Sequence, residues 1–360
     1  MLAEKNDGEK LTILSVGYPF APVRQDTAGG AEQVLAMLDS EIVRMGHVSI
    51  VIAPEGSRIK GIFVPVAEVE YPINERARQK AYEYCLNAIN NAIRKWDVDV
   101  IHMHGLDFDR YLPPPGLPVV ATLHLPLEWY SQNALRPDRP DTHLHCVSAS
   151  QRKRCRHDAA FLPDIENGVD ADRFRIRISK RNYAISLGRI CPEKGFHIAM
   201  DASKKAKIPF MLAGRVFPYA NHMKYFSDEI IPRIDMLRRF VGPAGFDRKR
   251  RLLSAARCLL APSLAPETSS LVAIEALACG TPVVAFPAGA LAEIIEHGRT
   301  GFLVKNSGEM AEAIHEAASL DPQACRDSVR KRFRADTMVR KYMDLYTMLA
   351  ERKRLKSCMK

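Results

Sequence analysis

The chain has 360 residues, 47% of them hydrophobic and 26% charged, with a formal net charge of +10. That length holds two buried cores, and the composition is ordinary for a soluble globular protein. No apolar run reaches the roughly 18 residues a membrane-spanning helix needs, so no transmembrane helix is expected. The opening Met1–Lys10 stretch is polar and lacks the apolar heart of a signal peptide. Eight cysteines without a Cys-x-x-Cys pair read as reduced core thiols, not as disulfides or metal ligands. The expected compartment is therefore cytoplasmic, with a peripheral seat at the inner face of the membrane left open. The charge is uneven: residues 1–166 carry −4 and residues 167–360 carry +14, of which +8 lies from Arg326 onward. The tail Arg352-Lys-Arg-Leu-Lys356 fits nonspecific contact with an anionic membrane surface, although a solvated terminal helix is the favoured reading.

Taken in order, Leu11–Gly17 is a short apolar run that predicts a first parallel strand. The loop from Tyr18 to Ala28 ends at Gly29-Gly30, where a helix to about Met45 begins, and two glycines there permit close backbone approach of a ligand. No Gly-x-Gly-x-x-Gly follows the strand, which argues against a dinucleotide-dependent dehydrogenase. Val48–Ala53 and Gly61–Val66 predict the next two strands, and Ile73–Trp96 a long helix. Val98–Gly105 predicts a strand on which His102 and His104 share one face. A third metal ligand is not evident beside them, so packing and loop hydrogen bonding is the better reading. Pro118–Pro126 is a strand with His124 at its carboxyl end, where side chains of an open α/β sheet face a ligand. Ser148-Ala-Ser150 predicts a capped helix carrying Arg152, Lys153, Arg154 and Arg156, read as a charged helix face.

Asn167-Gly168 is a turn signal, and the segment Asp170–Arg181 is polar without apolar period, so a boundary is placed near residue 177. The division expected is a polar tail at 1–10, one domain at 11–176, a second at 177–335 and a closing helix with basic tail at 336–360. Tyr183–Gly188 restarts the strand pattern, with Arg189 and Lys194 in the following loop. Phe210–Gly214 precedes Arg215, and Arg239–Pro243, containing Gly242, predicts a further short strand. Cys258–Pro262 is dense enough for a buried parallel strand. After it, Thr268, Ser269 and Ser270 are N-cap residue types ahead of a helical pattern that starts at Leu271 and stops at Gly280-Thr-Pro282. The free N–H groups near Ser269, Ser270 and Leu271 form a positive helix tip of the kind that holds phosphate. Glu267 and Glu275 lie on either side of it. Carboxylates make poor phosphate ligands and good acceptors for sugar hydroxyls, so the pairing suggests a nucleotide sugar. On pattern alone, a capped helix with two surface glutamates fits equally well.

Glu267, seven intervening residues, Glu275 and then Ala-Leu-Ala-Cys-Gly-Thr-Pro-Val-Val resembles the motif of the family 4 retaining glycosyltransferases. The form Glu-Thr-Ser-Ser-Leu departs from the commoner Glu-x-Phe-Gly-Leu, placing Ser269 and Ser270 where backbone approaches the diphosphate. The resemblance extends from Gly29-Gly30 through Glu-Asn-Gly-Val-Asp170 to Gly301-Phe-Leu-Val304. It implies two doubly wound Rossmann-like domains facing across a cleft, the glycosyltransferase-B fold, with a last helix that crosses back to the first domain. By the same resemblance, Gly29 and Gly30 face the donor phosphates, and His124 contacts the transferred sugar. Arg189 and Lys194, in Gly188-Arg…Glu-Lys-Gly195, supply two cations to the diphosphate. The backbone around Gly242 meets the nucleobase, and Arg215, Ser269, Ser270, Leu271 and Glu275 complete the donor site, with Glu267 beside the reacting centre.

The implied reaction moves a sugar from a nucleoside-diphosphate sugar to a hydroxyl of a carbohydrate, lipid-linked or small-molecule acceptor, with retention and without metal or other cofactor. No Asp-x-Asp metal motif stands in these segments. A nucleotide-sugar epimerase, a phosphorylase and an inactive sugar-nucleotide-binding scaffold remain alternatives on the same architecture. A nucleic-acid partner would rest on charge alone and lacks interleaved aromatics.

Overall fold

The computed structural model describes residues 10–27, 29–67, 73–155 and 161–358. Residues 1–9 of the N-terminal tail and Arg156 of the basic cluster therefore lie outside the described residues, as does the side chain of Lys356. The chain separates into two compact units. The first comprises the described residues of Met1–His145, His157–Pro163 and Val339–Lys360; the second comprises those of Cys146–Arg156 and Asp164–Met338.

In the first unit the apolar runs form β1 (Thr12–Val16), β2 (Val48–Pro54), β3 (Ile62–Val66), β4 (Val100–Met103), β5 (Val119–Leu123) and β6 (Thr142–Cys146). Their order in the sheet is 3-2-1-4-5-6, and all the registered pairs are parallel. The central strands are buried on both faces, which is why their sequences read as unbroken Val/Ile/Leu stretches without alternation. β3 is the exception, partly exposed and carrying Pro65, as an edge strand tolerates. Its entry is fixed by buried Asp39, which accepts from Ser49 Oγ at 2.7 Å and from the backbone N–H groups of Lys60 at 2.6 Å and Gly61 at 3.1 Å.

The second unit repeats the scheme with β7 (Ala184–Arg189), β8 (Phe210–Arg215), β9 (Arg238–Gly242), β10 (Cys258–Ala261), β11 (Val283–Ala285) and β12 (Gly301–Leu303). Their order, 12-11-10-7-8-9, is the order of the first sheet read from its other edge. Each sheet therefore reverses direction once, between β1 and β4 and between β7 and β10. Ligands in such sheets bind beyond the carboxyl ends of the strands at that reversal.

Helices follow the predicted periods with boundaries moved by a few residues. Gly30–Arg44, Glu75–Lys95 and Phe246–Ala255 are long. Leu291–Ile294 forms only a single short turn of helix. Ser148 does cap its helix, accepting from Gln151 N–H. Ser270 stands at the N-cap of Leu271–Ala278, but its side chain makes no cap bond, so the predicted Ser cap is not used.

The last helix, Ala335–Cys358, enters the first unit from Val339 onward. Tyr342 and Tyr346 are fully buried there against His102 of β4, and Tyr342 also against His145 of β6. Tyr346 Oη lies 2.6 Å from His102 Nδ1, and His102 Nε2 lies 2.6 Å from Thr122 Oγ1. Thr122 Oγ1 is also 2.6 Å from His145 Nε2. Further along, His104 Nδ1 meets His124 Nε2 at 3.0 Å. Thus His102 and His104 serve packing and hydrogen bonding, as their shared face suggested. Two tail cations are also engaged: Lys353 Nζ donates to Val98 O at 3.1 Å, and Arg354 pairs with Asp99 at 3.5 Å.

Burial pushes the pKa of His102 and His104 well below the ordinary imidazole range, and that of His124 down to about 3, with neighbouring histidines adding to the effect. These rings are neutral when folded and protonate near pH 6.5 when unfolded, so the unfolded chain binds more protons below that pH. Stability is then present above about pH 6.5 and is lost as pH falls toward the depressed folded values. In the limit each ring contributes about 1.4 kcal/mol per pH unit. Thermal melts between pH 7.5 and 5 should show Tm falling with pH, and a His104→Asn variant should lose a share of that slope. A Tm that is flat across this range would contradict the neutral cluster.

Candidate functional site

The sequence-predicted residues fall into both units: Gly29, Gly30 and His124 in the first, and the rest in the second. Gly29 precedes the helix Gly30–Arg44, where Gln33 N–H donates to Gly29 O at 3.3 Å. His124 follows the last residue of β5 and is held by His104 as described.

In the second unit the site grows from β7 and β10, which pair in register as Cys258↔Ala184 and Leu259↔Ile185. Both strands run toward the same end. Past β7, which ends in Gly188 and Arg189, a tight turn at Pro192–Lys194 leads to Gly195 and the helix Phe196–Ala206. Past β10 the chain runs through Ser263 and Glu267 to the helix Leu271–Ala278. The two loops are tied together by Leu264 N–H donating to Glu193 O at 2.8 Å. Gly195 has φ +61, and a Cβ there would sit 2.2 Å from Pro262 O, so only glycine lets the turn approach the β10 loop this closely.

That approach brings Lys194 Nζ to 2.6 Å from Glu267 Oε1, which also accepts from Ser263 Oγ at 2.5 Å. The Glu267 backbone is fixed independently. Its N–H donates to Ala288 O at 3.3 Å, and its C=O accepts from Ala290 N–H at 2.8 Å. Gly289, at φ +61, passes so close that a Cβ would lie 2.3 Å from Glu267 O. A carboxylate held by a cation, a hydroxyl and a backbone bridge is aimed before any ligand arrives. Glu267 and Lys194 each remain partly exposed, at 13% and 23% of the side chain, so both can still meet a solute.

Glu275 differs from its expected setting. It is buried, and its Oε1 accepts from Lys249 Nζ of the helix Phe246–Ala255. Burial pushes the Glu275 carboxyl up, and the Lys249 ammonium pulls it back. Arg189 is half-buried at the end of β7, and Arg215 is exposed with its guanidinium 5.3 Å from the Phe217 ring centroid. Gly242 closes β9. Ser269 lines a recess with Ser148, Glu166, Asn167 and Glu293, while Ser270 is buried.

Sequence reasoning passed over Ser263 and Lys249. Ser263 carried a usable signal, a hydroxyl four residues before Glu267 in the loop just past a predicted strand end. Lys249 carried none, being one of five Lys and Arg residues between Arg248 and Arg257.

The doubly wound pair of parallel sheets, with ionic groups gathered where the second sheet reverses, is the architecture of glycosyltransferase-B enzymes. Residues 28–173 match the model of the family described as Glycosyltransferase Family 4, and residues 181–319 that described as Glycosyl transferases group 1. An uncharacterized glycosyltransferase of Methanocaldococcus jannaschii is 30% identical over 263 residues, covering 66% of this chain and 71% of that protein. Phosphatidyl-myo-inositol mannosyltransferase of Mycobacterium tuberculosis is 25% identical over 357 residues, covering 90% and 92%. Among solved structures, a glycosyltransferase involved in avilamycin A biosynthesis superposes with a TM-score of 0.73 at 26% identity over 95% of this chain and 98% of that one. Anabaena HepE in complex with UDP-glucose shares the fold, with a TM-score of 0.72 at 21% identity over 94% and 100%. The chain belongs to the family 4, group 1 glycosyltransferases. It is a glycosyltransferase of glycosyltransferase-B fold, and among the described residues no helix is long and apolar enough to cross a membrane.

Removing one partner of the Lys249–Glu275 pair would strand a buried charge. Lys249→Met should cost about 3–5 kcal/mol of stability in urea titration. A Lys249→Met/Glu275→Leu double variant should recover most of the loss. If the single variant were as stable as the parent, the pairing would carry no such weight.

Proposed function

We propose that the protein transfers a glycosyl group from a nucleoside-diphosphate sugar to an acceptor hydroxyl with retention of anomeric configuration and without a metal ion. The observation that carries this is the Lys194–Glu267–Ser263 cluster at the carboxyl ends of β7 and β10, with the tip of the helix Leu271–Ala278 a few residues on. A diphosphate at that tip would meet free N–H groups and the partial positive charge of the helix. Arg189 and Lys194 would add two cations as the glycosidic bond breaks and negative charge builds on the leaving phosphate. Lys194 has three N–H donors and spends one on Glu267, so it can serve the carboxylate and a phosphate oxygen together.

Glu267, already paired and oriented, would read sugar hydroxyls and not repel the diphosphate. Glu275 would act with Lys249 at its back. In this reading the acceptor proton passes to the departing phosphate oxygen, so positioning and charge stabilisation carry the rate. His124 would position the transferred sugar as a neutral ring. Gly29 and Gly30, with Gly188, Arg215 and Gly242, would contact the donor through backbone and guanidinium groups. The relative named for phosphatidyl-myo-inositol suggests a polyol-bearing, lipid-linked acceptor, and the basic tail would suit peripheral contact with an anionic membrane.

A panel of nucleotide sugars screened for thermal stabilisation would select the donor. With that donor, transfer should persist in excess EDTA. Loss of activity that returns on adding magnesium or manganese would overturn the metal-independent reading. Lys194→Ala should lower kcat by about a hundredfold or more with a smaller change in KM. An unchanged kcat would remove Lys194 from leaving-group stabilisation.

A further inference from the structure

The turn after β7 gathers three ligand-type side chains that sugar transfer does not use. Cys191, Glu193 and His222 present a sulfur, a carboxylate oxygen and a ring nitrogen, all within 4.8 Å of one another. Cys191 and His222 are buried, at 2% and 7% exposure, while Glu193 reaches partly into solvent. His222 Nδ1 is buried without a hydrogen-bond partner, and a group left in that state asks for a physical explanation. The Cys191 thiol makes a long contact, 3.5 Å to Arg189 O, and meets the Glu193 carboxylate. A buried imidazole with one orphaned nitrogen, a buried thiol and a carboxylate, their ligand atoms within 4.8 Å of one another, form a donor set short of a centre.

We infer that Cys191, Glu193 and His222 bind a zinc-class divalent cation that clips the Pro192–Lys194 turn to the helix Ala220–Tyr225. Thiolate and imidazole with a single carboxylate select zinc over magnesium or calcium, which take oxygen ligands. On binding, the Cys191 thiol gives its proton to solvent and forms a sulfur–metal bond. Thiolate and carboxylate then balance the two positive charges of the ion. Three protein ligands leave a fourth position for water. The nearby Arg189 guanidinium opposes a bound cation, and this local neutrality offsets it.

Because Arg189 lies two residues before Cys191, and Lys194 directly after Glu193, the ion would stiffen the turn that presents both. The inference needs no donor sugar and stands apart from the proposed transfer.

The test uses the full chain, stripped with chelator, exchanged into metal-free buffer and titrated with cobalt(II) as a spectroscopic stand-in for zinc. One cobalt per chain should bind with a sulfur-to-cobalt charge-transfer band in the near ultraviolet, and zinc should displace it. Cys191→Ser should abolish the band, His222→Ala should weaken binding about tenfold or more, and zinc should raise Tm of the parent but not of Cys191→Ser. A folded parent chain that binds no cobalt, or binds it without the band, overturns the inference, as does a Cys191→Ser variant that retains the band. The parent titration decides the matter even if a variant fails to fold.

Discussion

The ionic cluster of the second unit is organised around one carboxylate that is held still. Glu267 is gripped through its side chain by Lys194 and Ser263, and through its backbone by the bridge at Gly289. Unpaired, a carboxylate near a helix tip would compete for the positive charge that a phosphate needs. Paired at 2.6 Å, it becomes part of a near-neutral cluster that still offers acceptor oxygen. Two glycines make this geometry available. Gly195 lets the Lys194 turn close on Pro262, and Gly289 lets the chain pass over the Glu267 carbonyl. The site is thus a consequence of backbone proximity first and charge second.

The buried Lys249–Glu275 pair follows a different logic. Desolvation takes back much of what attraction between two buried ions gives, so such a pair is weak evidence for stability. What it does is fix position. Glu275 is kept in an apolar helix, Leu271–Ala278, by an ammonium from the neighbouring helix Phe246–Ala255. The positions of both helices are thereby coupled just behind the loop that carries Ser269 and Ser270.

Much of the architecture was legible because central parallel strands such as β1, β2, β5 and β10 are dense apolar runs, whereas β6 and β9 carry polar or charged residues. The motif spacing of Glu267 and Glu275 was legible locally. What stayed hidden was pairing over long separations. Nothing local marks Lys249 as the partner of Glu275, or Cys191 as a neighbour of His222. The Ser-rich approach to Leu271 looked like a cap, yet Ser270 is buried and makes no cap bond. N-cap propensity records what such residues do on average, and here the tertiary setting of the loop prevails. Tyr346 and His102, 244 positions apart, meet only because the last helix belongs to the first unit.

That meeting has a further consequence, which follows from counting protons. His102 is neutral and carries one ring N–H, Tyr346 keeps its phenolic proton because burial raises its pKa, and Thr122 has a single hydroxyl proton. If Tyr346 donates to His102 Nδ1, then His102 Nε2–H must donate to Thr122. The Thr122 proton is then free for His145 Nε2. Reversing the first bond, with His102 Nδ1–H donating to Tyr346, reverses each of the others in turn. The bonds Tyr346–His102 and His102–Thr122 are therefore polarised together, in one direction or the other. When His102 accepts from Thr122, His145 Nε2–H must donate to the Thr122 oxygen; when His102 donates to it, the Thr122 proton can go to His145 Nε2 or to Tyr342 Oη at 3.4 Å. Removing the Tyr346 hydroxyl would leave His102 Nδ1 unsatisfied in the core, so the helix is held by the same bond that sets the His102 tautomer.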